Sequence, residues 1–207
     1  MKKITLLLIT IVMIFSCKTI VQMDNSNFTQ NIVARKEVQK GNTVFYFIRH
    51  NKTIPDGSKD PDISSRGKKN IQNLIRYFAD KRLDSIFSTN FKRTINTAKP
   101  IAKSKGIVSD YFNPHLIDVK KEIKRNKGKA ILYVGHSNTT PEMANQFIGS
   151  MKYSQMMDDN YSDIYRVIIS GNKIYEDVLN LEEEVIAIEN ATMLIANKNK
   201  KRKKRRH

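Results

Sequence analysis

The chain has 207 residues, 40% of them hydrophobic, enough for one domain with a real core. Its formal net charge is +17, but eight of the 37 basic residues lie between Lys198 and Arg206, and Lys2, Lys3 and Lys18 add three more, so residues 19–197 carry only +6. The single cysteine, Cys17, excludes an intrachain disulfide framework and any Cys-rich zinc site.

Ile4 to Phe15 is an almost unbroken apolar run behind Lys2 and Lys3, and Ser16 directly precedes Cys17. This layout is that of a secretory signal, too short to span a membrane comfortably. It resembles a bacterial lipoprotein signal, in which cleavage before the cysteine leaves it free for lipidation, although Phe15 is bulky for its place. The resemblance implies a lipid anchor at Cys17 and residence in the cell envelope. Residues 18–40 are polar and aperiodic and read as a tether.

Thr43 to Ile48 is β-branched and aromatic, which predicts a buried strand ending at Arg49-His50. Residues 51–62 hold Pro55, Gly57 and Pro61 and form a loop. Ser64 or Ser65 caps a helix carrying Ile71, Leu74, Ile75 and Phe78 at helical spacing. Ser85 to Ser88 is a short strand, and a helix from about Phe91 places Ile95, Ala98 and Ala102 on one face before Gly106 ends it. A basic helix is expected over 116–127, and a buried strand over Ala130–Val134, ending at Gly135-His136. Pro141 suits the first turn of the next helix, which runs through Met143 and Phe147 to Gly149. Tyr165–Ile169 and Lys173–Leu179 read as a hairpin. Residues 185–196 fit either a short amphipathic helix or an added strand. The basic tail reads as solvated disorder, with contact to anionic lipid headgroups as the alternative and nucleic acid not expected. The expected divisions are a signal at 1–17, a tether at 18–40, a domain at 41–181 and an extension at 182–207. Strands alternating with helices predict an α/β fold with a mainly parallel sheet.

Three short segments then stand out. Arg49-His50 ends a strand, Arg93 opens a helix directly after another, and Gly135-His136-Ser137-Asn138 again runs from strand to helix start. Such helix starts offer partial positive charge and free N–H groups to a phosphate. Two arginines grip phosphate oxygens in a fork that lysine cannot copy. One imidazole can attack phosphorus, and a second can steady the charge that grows during transfer. In order along the chain, Arg49-His50-Asn51-Lys52-Thr53, Ile63-Ser64-Ser65-Arg66-Gly67, Ser88 through Arg93-Thr94 to Thr97-Ala98, and Gly135-His136-Ser137-Asn138 resemble the four motifs of the histidine phosphatase superfamily, also called the phosphoglycerate mutase-like family. The resemblance covers roughly residues 43–180. It implies a three-layer α/β/α sandwich, no cofactor and no metal, His50 as the nucleophile that becomes phosphorylated, and Arg49, Arg93 and His136 as ligands of the phosphoryl group. The expected partner is a small phosphorylated substrate or a phosphoprotein, and the expected activity is phosphomonoester or phosphohistidine hydrolysis. The alternative is a non-catalytic member that only binds phosphorylated ligands.

Two departures accompany it. Asn51 stands where the family commonly has glycine. No carboxylate between Arg93 and His136 falls in a recognisable general-acid motif. Asp118 and Glu142 are the candidates for that role, with Asp110 and Glu122 beside them, and Asp118 equally suits a helix cap. The chain lacks a large insertion to form a cap over the site, which argues against a dedicated mutase or phytase.

Overall fold

The computed structural model describes residues 41–204. Cys17, the signal-like segment 1–17 and the tether 18–40 lie outside these residues.

Six strands form one sheet: β1 (Thr43–Arg49), β2 (Ser85–Ser88), β3 (Ser109–Tyr111), β4 (Ala130–Gly135), β5 (Asp163–Ser170) and β6 (Lys173–Asn180), in the spatial order β3-β2-β4-β1-β5-β6. The four strands from β3 to β1 run parallel, and the β5–β6 hairpin continues the sheet antiparallel from β1. The helices are α1 (Ser65–Phe78), α2 (Lys92–Ser104), α3 (Val119–Arg125), α4 (Thr139–Ile148) and α5 (Leu181–Lys204).

Strand side chains alternate between faces, and both faces here are apolar because both are covered. Val44, Tyr46 and Ile48 of β1, with Leu132 and Val134 of β4, pack with Leu74 and Phe78 of α1, Ala98 and Ile101 of α2 and Leu181 and Val185 of α5. The intervening residues Phe45, Phe47, Ile131 and Tyr133 point the other way, against Met143, Ala144 and Phe147 of α4, with Val119 and Ile123 of α3 at the margin. On this second face Phe45 lies 4.5 Å from Phe147, and Phe47 stacks on Tyr133 at 5.6 Å. The result is the three-layer α/β/α arrangement.

Ser64 caps α1, its hydroxyl accepting from the N–H of Gly67. Gly67 is fixed by space: a Cβ there would lie 2.3 Å from the carbonyl oxygen of Lys52 and 2.7 Å from Cγ2 of Ile63. That carbonyl also accepts from the N–H and the hydroxyl of Ser64, so it cannot step aside. Gly67→Ala is therefore expected to cost about 1–3 kcal/mol through overpacking, read as a lower urea midpoint with an unchanged slope.

Three local expectations need correction. The basic helix expected over 116–127 is a 3₁₀ turn, Pro114–Leu116, followed by α3 from Val119 only. Ile117 is extended, and Asp118 caps α3 through the N–H of Lys121, so the two pieces cannot merge. Strand β3 was not foreseen: Ser-Asp-Tyr carries no apolar alternation and forms by pairing with the edge of β2. The stretch from Leu181 is one helix that continues to Lys204, where disorder was expected of the basic tail. No Gly or Pro interrupts it. The side chain of Asn180 accepts from the N–H groups of Glu182 and Glu183, and acidic residues at its start with basic ones at its end suit the helix dipole.

Candidate active site

The site is built at the carboxyl ends of β1, β4 and β2. Because β1 and β4 are parallel neighbours with Arg49 opposite Gly135, the next residues, His50 and His136, leave the sheet side by side. The N–H of His50 donates to the carbonyl of Gly135 at 2.9 Å, which extends the ladder by one step. The two imidazole centroids are 5.5 Å apart. Gly135 permits the sharp turn that follows, since a Cβ would lie 2.8 Å from Oγ1 of Thr139, the atom that accepts the N–H of His136.

His50 is nearly buried. Its Nδ1 is 2.9 Å from the carbonyl oxygen of Asn51. A carbonyl only accepts, so Nδ1 holds the proton and Nε2 carries the lone pair. Burial, then the positive charges of Arg49 and Arg93 and the neighbouring His136, lower its pKa to about 4 against the opposing bond to Asn51.

Asn51 is buried and cross-linked. Its N–H donates to Oγ1 of Thr97, whose hydroxyl in turn donates to the carbonyl of Arg93. Its side-chain oxygen accepts from Asn70 at 2.7 Å, and the same amide of Asn70 donates to the carbonyl of Tyr161. The asparagine in the glycine position thus ties β1 to α1 and to the segment before β5.

Arg49 lies under that segment. Its guanidinium sits 4.3 Å from the ring of Tyr161, and Nη1 donates to the carbonyls of Met157, Asp158 and Asn160 at 3.0–3.1 Å. Nε is buried without a hydrogen-bond partner among the described residues.

His136 is held from two sides. Its Nδ1 faces Nη2 of Arg93 at 3.4 Å, a long contact in which only the guanidinium can donate. Its Nε2 therefore carries the proton, given to Oγ1 of Thr89 at 2.9 Å; that hydroxyl donates on to Thr94, which bonds the carbonyl of Thr89. Burial, then Arg93 and Arg49, lower its pKa to about 4, with Asp60 acting the other way. Arg93 stacks on Phe91 at 4.5 Å and donates through Nη1 to Asp60 at 3.1 Å.

The structure thus brings Arg49, His50, Arg93 and His136 together. No hydrogen bond or ion pair among the described residues links Asp118 or Glu142 to them. Asp118 is exposed and occupied as the cap of α3, and Glu142 is exposed and bonded to Gln146. Glu122 is buried elsewhere, accepting from Tyr133 and Asn126 and paired with Arg125, while Asp110 is exposed. The free N–H expected at the start of α2 is also taken, since that of Lys92 donates to Asp60.

The family enters here as well. The model of the histidine phosphatase superfamily (branch 1) matches residues 45–120, and solved structures superpose on 66–73% of the chain. The chain is similar to the histidine phosphatase superfamily over residues 45–120 and shares the fold of the solved structures. A phosphoglycerate mutase from Bacillus anthracis superposes with a TM-score of 0.54 at 14% identity, covering 73% of this chain and 98% of that one. The α-ribazole phosphatase from Shigella flexneri gives 0.53 at 16% identity, covering 66% and 96%. Phosphoserine phosphatase 1 from Hydrogenobacter thermophilus is 43% identical over 51 residues, which span 25% of this chain and 24% of that protein. The superfamily motifs lie on the elements that the pattern of the sequence assigns them.

Residues that sequence reasoning left out complete the site: Asp60, Asn70, Thr89 and Tyr161. Thr94 and Thr97 were visible inside the Arg93 segment, and the four-residue spacing of Thr97 from Arg93 was the available signal. Asp60 and Tyr161 lie in loops, where no periodicity assigns a place.

The lowered imidazole values predict an unusual acid limb. Any activity needing neutral His50 is lost only as pH falls through about 4, where an ordinary histidine would already be lost near 6.5. A kcat/KM profile on an aryl phosphate, corrected for substrate ionisation, checks this; an enzyme limb at 6.5 contradicts it. The same shift gives a stability slope. Between 6.5 and about 4 the unfolded chain takes up protons that folded His50 and His136 refuse, so stability falls as pH drops through that window.

Proposed function

We propose that this chain is a phosphatase that hydrolyses phosphomonoesters or phosphohistidine through a phosphoryl group carried on Nε2 of His50, with no metal or other cofactor. The observation that carries the reading is the pairing of a free Nε2 lone pair on His50 with two guanidiniums and a second imidazole in one site. In the first step the Nε2 lone pair forms the N–P bond while the P–O or P–N bond to the leaving group breaks, and the leaving atom takes up a proton. In the second step water attacks phosphorus, the N–P bond breaks, and orthophosphate leaves with His50 restored. Arg49 through its unpartnered Nε and Arg93 through Nη2 hold nonbridging oxygens, and His136 joins them when its Nε2–H turns from Thr89 to the phosphoryl group, which stabilises the charge of transfer.

With Asp118, Glu122 and Glu142 engaged elsewhere, good leaving groups are favoured: aryl phosphates, and phosphoramidates such as phosphohistidine. The same observation supports the second reading, a member that binds phosphorylated ligands without turnover. Rapid-quench labelling separates the two. The expected result is an acid-labile, base-stable phosphoryl label on His50, formed in excess chelator. Phosphate binding with no label and no turnover across aryl phosphates and phosphohistidine selects the second reading.

Anchoring completes the proposal. The chain is lipidated at Cys17 and held on the membrane of the bacterial cell envelope, with the basic end of the chain touching anionic headgroups. Metabolic labelling with a fatty acid is expected to mark the wild type and leave Cys17→Ala unmarked; a labelled variant rules out this site.

A further inference from the structure

The loop between β1 and α1 is docked on the first turns of α2 by two carboxylates. Asp62 accepts from the side chain of Asn96 at 2.8 Å, and Asp60 accepts from the backbone N–H of Lys92 at 2.7 Å. The other oxygen of Asp60 accepts from Nη1 of Arg93 at 3.1 Å, and the same nitrogen donates to the carbonyl of Lys59 at 3.3 Å. Nη1 has two hydrogens, so both are committed to this loop. Arg93 is thus gripped at one corner of its fork, with Phe91 beneath its plane, and Nη2 is aimed at His136 and the centre of the site.

We infer that Asp60 is a positioning residue for the phosphoryl step: it holds the Arg93 guanidinium by Nη1 so that Nη2 meets the incoming oxyanion in a fixed orientation. A free arginine side chain spends rotamer entropy each time it binds, and a braced one does not. Asp60 is not the missing proton donor. Both of its oxygens accept in this arrangement, one from a backbone amide and one from a guanidinium, so neither offers a proton to a leaving group. The inference rests on the function proposed above, in that the oxyanion bound is the phosphoryl group of the substrate.

The test is a double-mutant cycle with two readouts, inorganic phosphate affinity by calorimetry and kcat/KM on one aryl and one alkyl phosphate. Asp60→Ala is expected to weaken phosphate binding and lower kcat/KM by about tenfold each, equally for both substrates. Asp60→Asn, whose one carbonyl oxygen can still accept from Nη1 although the acceptor for the Lys92 N–H is lost, is expected to recover part of that loss. In an Arg93→Ala background, Asp60→Ala is expected to add nothing, because its effect acts through the missing guanidinium. Additive losses in the double variant, together with a lowered melting temperature that accounts for them, reduce Asp60 to a fold contact and overturn the inference. A loss confined to the alkyl ester and not recovered by Asp60→Asn makes Asp60 the proton donor, which also overturns it. Wild-type protein that binds phosphate and turns over nothing leaves the affinity arm to decide on Asp60 while removing catalysis. Wild-type protein that binds no phosphate removes both.

Discussion

Replacing His50 with alanine is expected to lower kcat on an aryl phosphate by at least about a thousandfold, since the proposed mechanism carries the phosphoryl group on His50 alone. The neighbouring imidazole does not substitute for it. His136 spends its Nδ1 on Arg93 and its Nε2 on Thr89, whereas His50 has only its Nδ1 engaged. The proposed oxyanion ligands Arg49 and Arg93 remain in the variant, so inorganic phosphate should still bind within a few-fold of wild type. His50→Asn is the companion, keeping a planar polar group of similar reach without a nucleophilic nitrogen, and it should behave alike. Comparable turnover in wild type and His50→Ala removes the covalent mechanism. Loss of phosphate binding together with turnover marks a collapsed site, which circular dichroism and a melting curve identify.

Arg49→Ala carries the second large effect, and it falls on folding as well as on chemistry. Arg49 is 9% exposed, and through Nη1 it gathers the carbonyls of Met157, Asp158 and Asn160. Its removal leaves three acceptors facing a void and frees Tyr161 from the cation it covers. A cost of about 2–4 kcal/mol is expected from the lost charged donor and the packing around it, with kcat/KM lower by about two to three orders of magnitude from the lost oxyanion ligand. Arg49→Lys should rescue little, because one ammonium cannot serve the loop carbonyls and an oxyanion at once. Hydrogen exchange sharpens the result, with faster exchange expected at the amides of 156–162 in both variants. Unchanged exchange with normal activity means that Arg49 neither holds the segment nor touches the substrate.

Much of this architecture was legible because its central strands are unusually plain. Thr43–Ile48 and Ala130–Val134 are continuous β-branched and aromatic runs, as strands buried on both faces must be, and each is followed directly by its histidine. Four motifs in order then named the family. The illegible parts are those that long-range contacts decide. Strand β3 exists only through its neighbour, and the break between the 3₁₀ turn and α3 depends on one capping side chain. The bond between Asn51 and Asn70 joins residues 19 apart across a loop and the first turn of α1, and nothing in either residue announces the other. Asp60 was passed over because a loop rich in Pro, Gly and Asp shows that the chain turns without showing where a carboxylate ends up. The helix Leu181–Lys204 defeated a compositional reading, since its basic run looks like a solvated tail while each residue in it also tolerates a helix.

The spacing of the two imidazoles has an evolutionary side. His50 and His136 ride on adjacent backbones locked in step by the pairing of Arg49 with Gly135 and one further amide bond. The spacing of their backbones is set by main-chain geometry, and the surrounding side chains set only how the rings turn. The loops beside this pair, residues 51–62 and 157–161, are tied to the site largely through side chains such as Asn51, Asn70, Asp60 and Arg49. Such a molecule can exchange its preferences by rewriting loops while its reactive pair stays put, much as a lathe accepts new tools without moving its spindle.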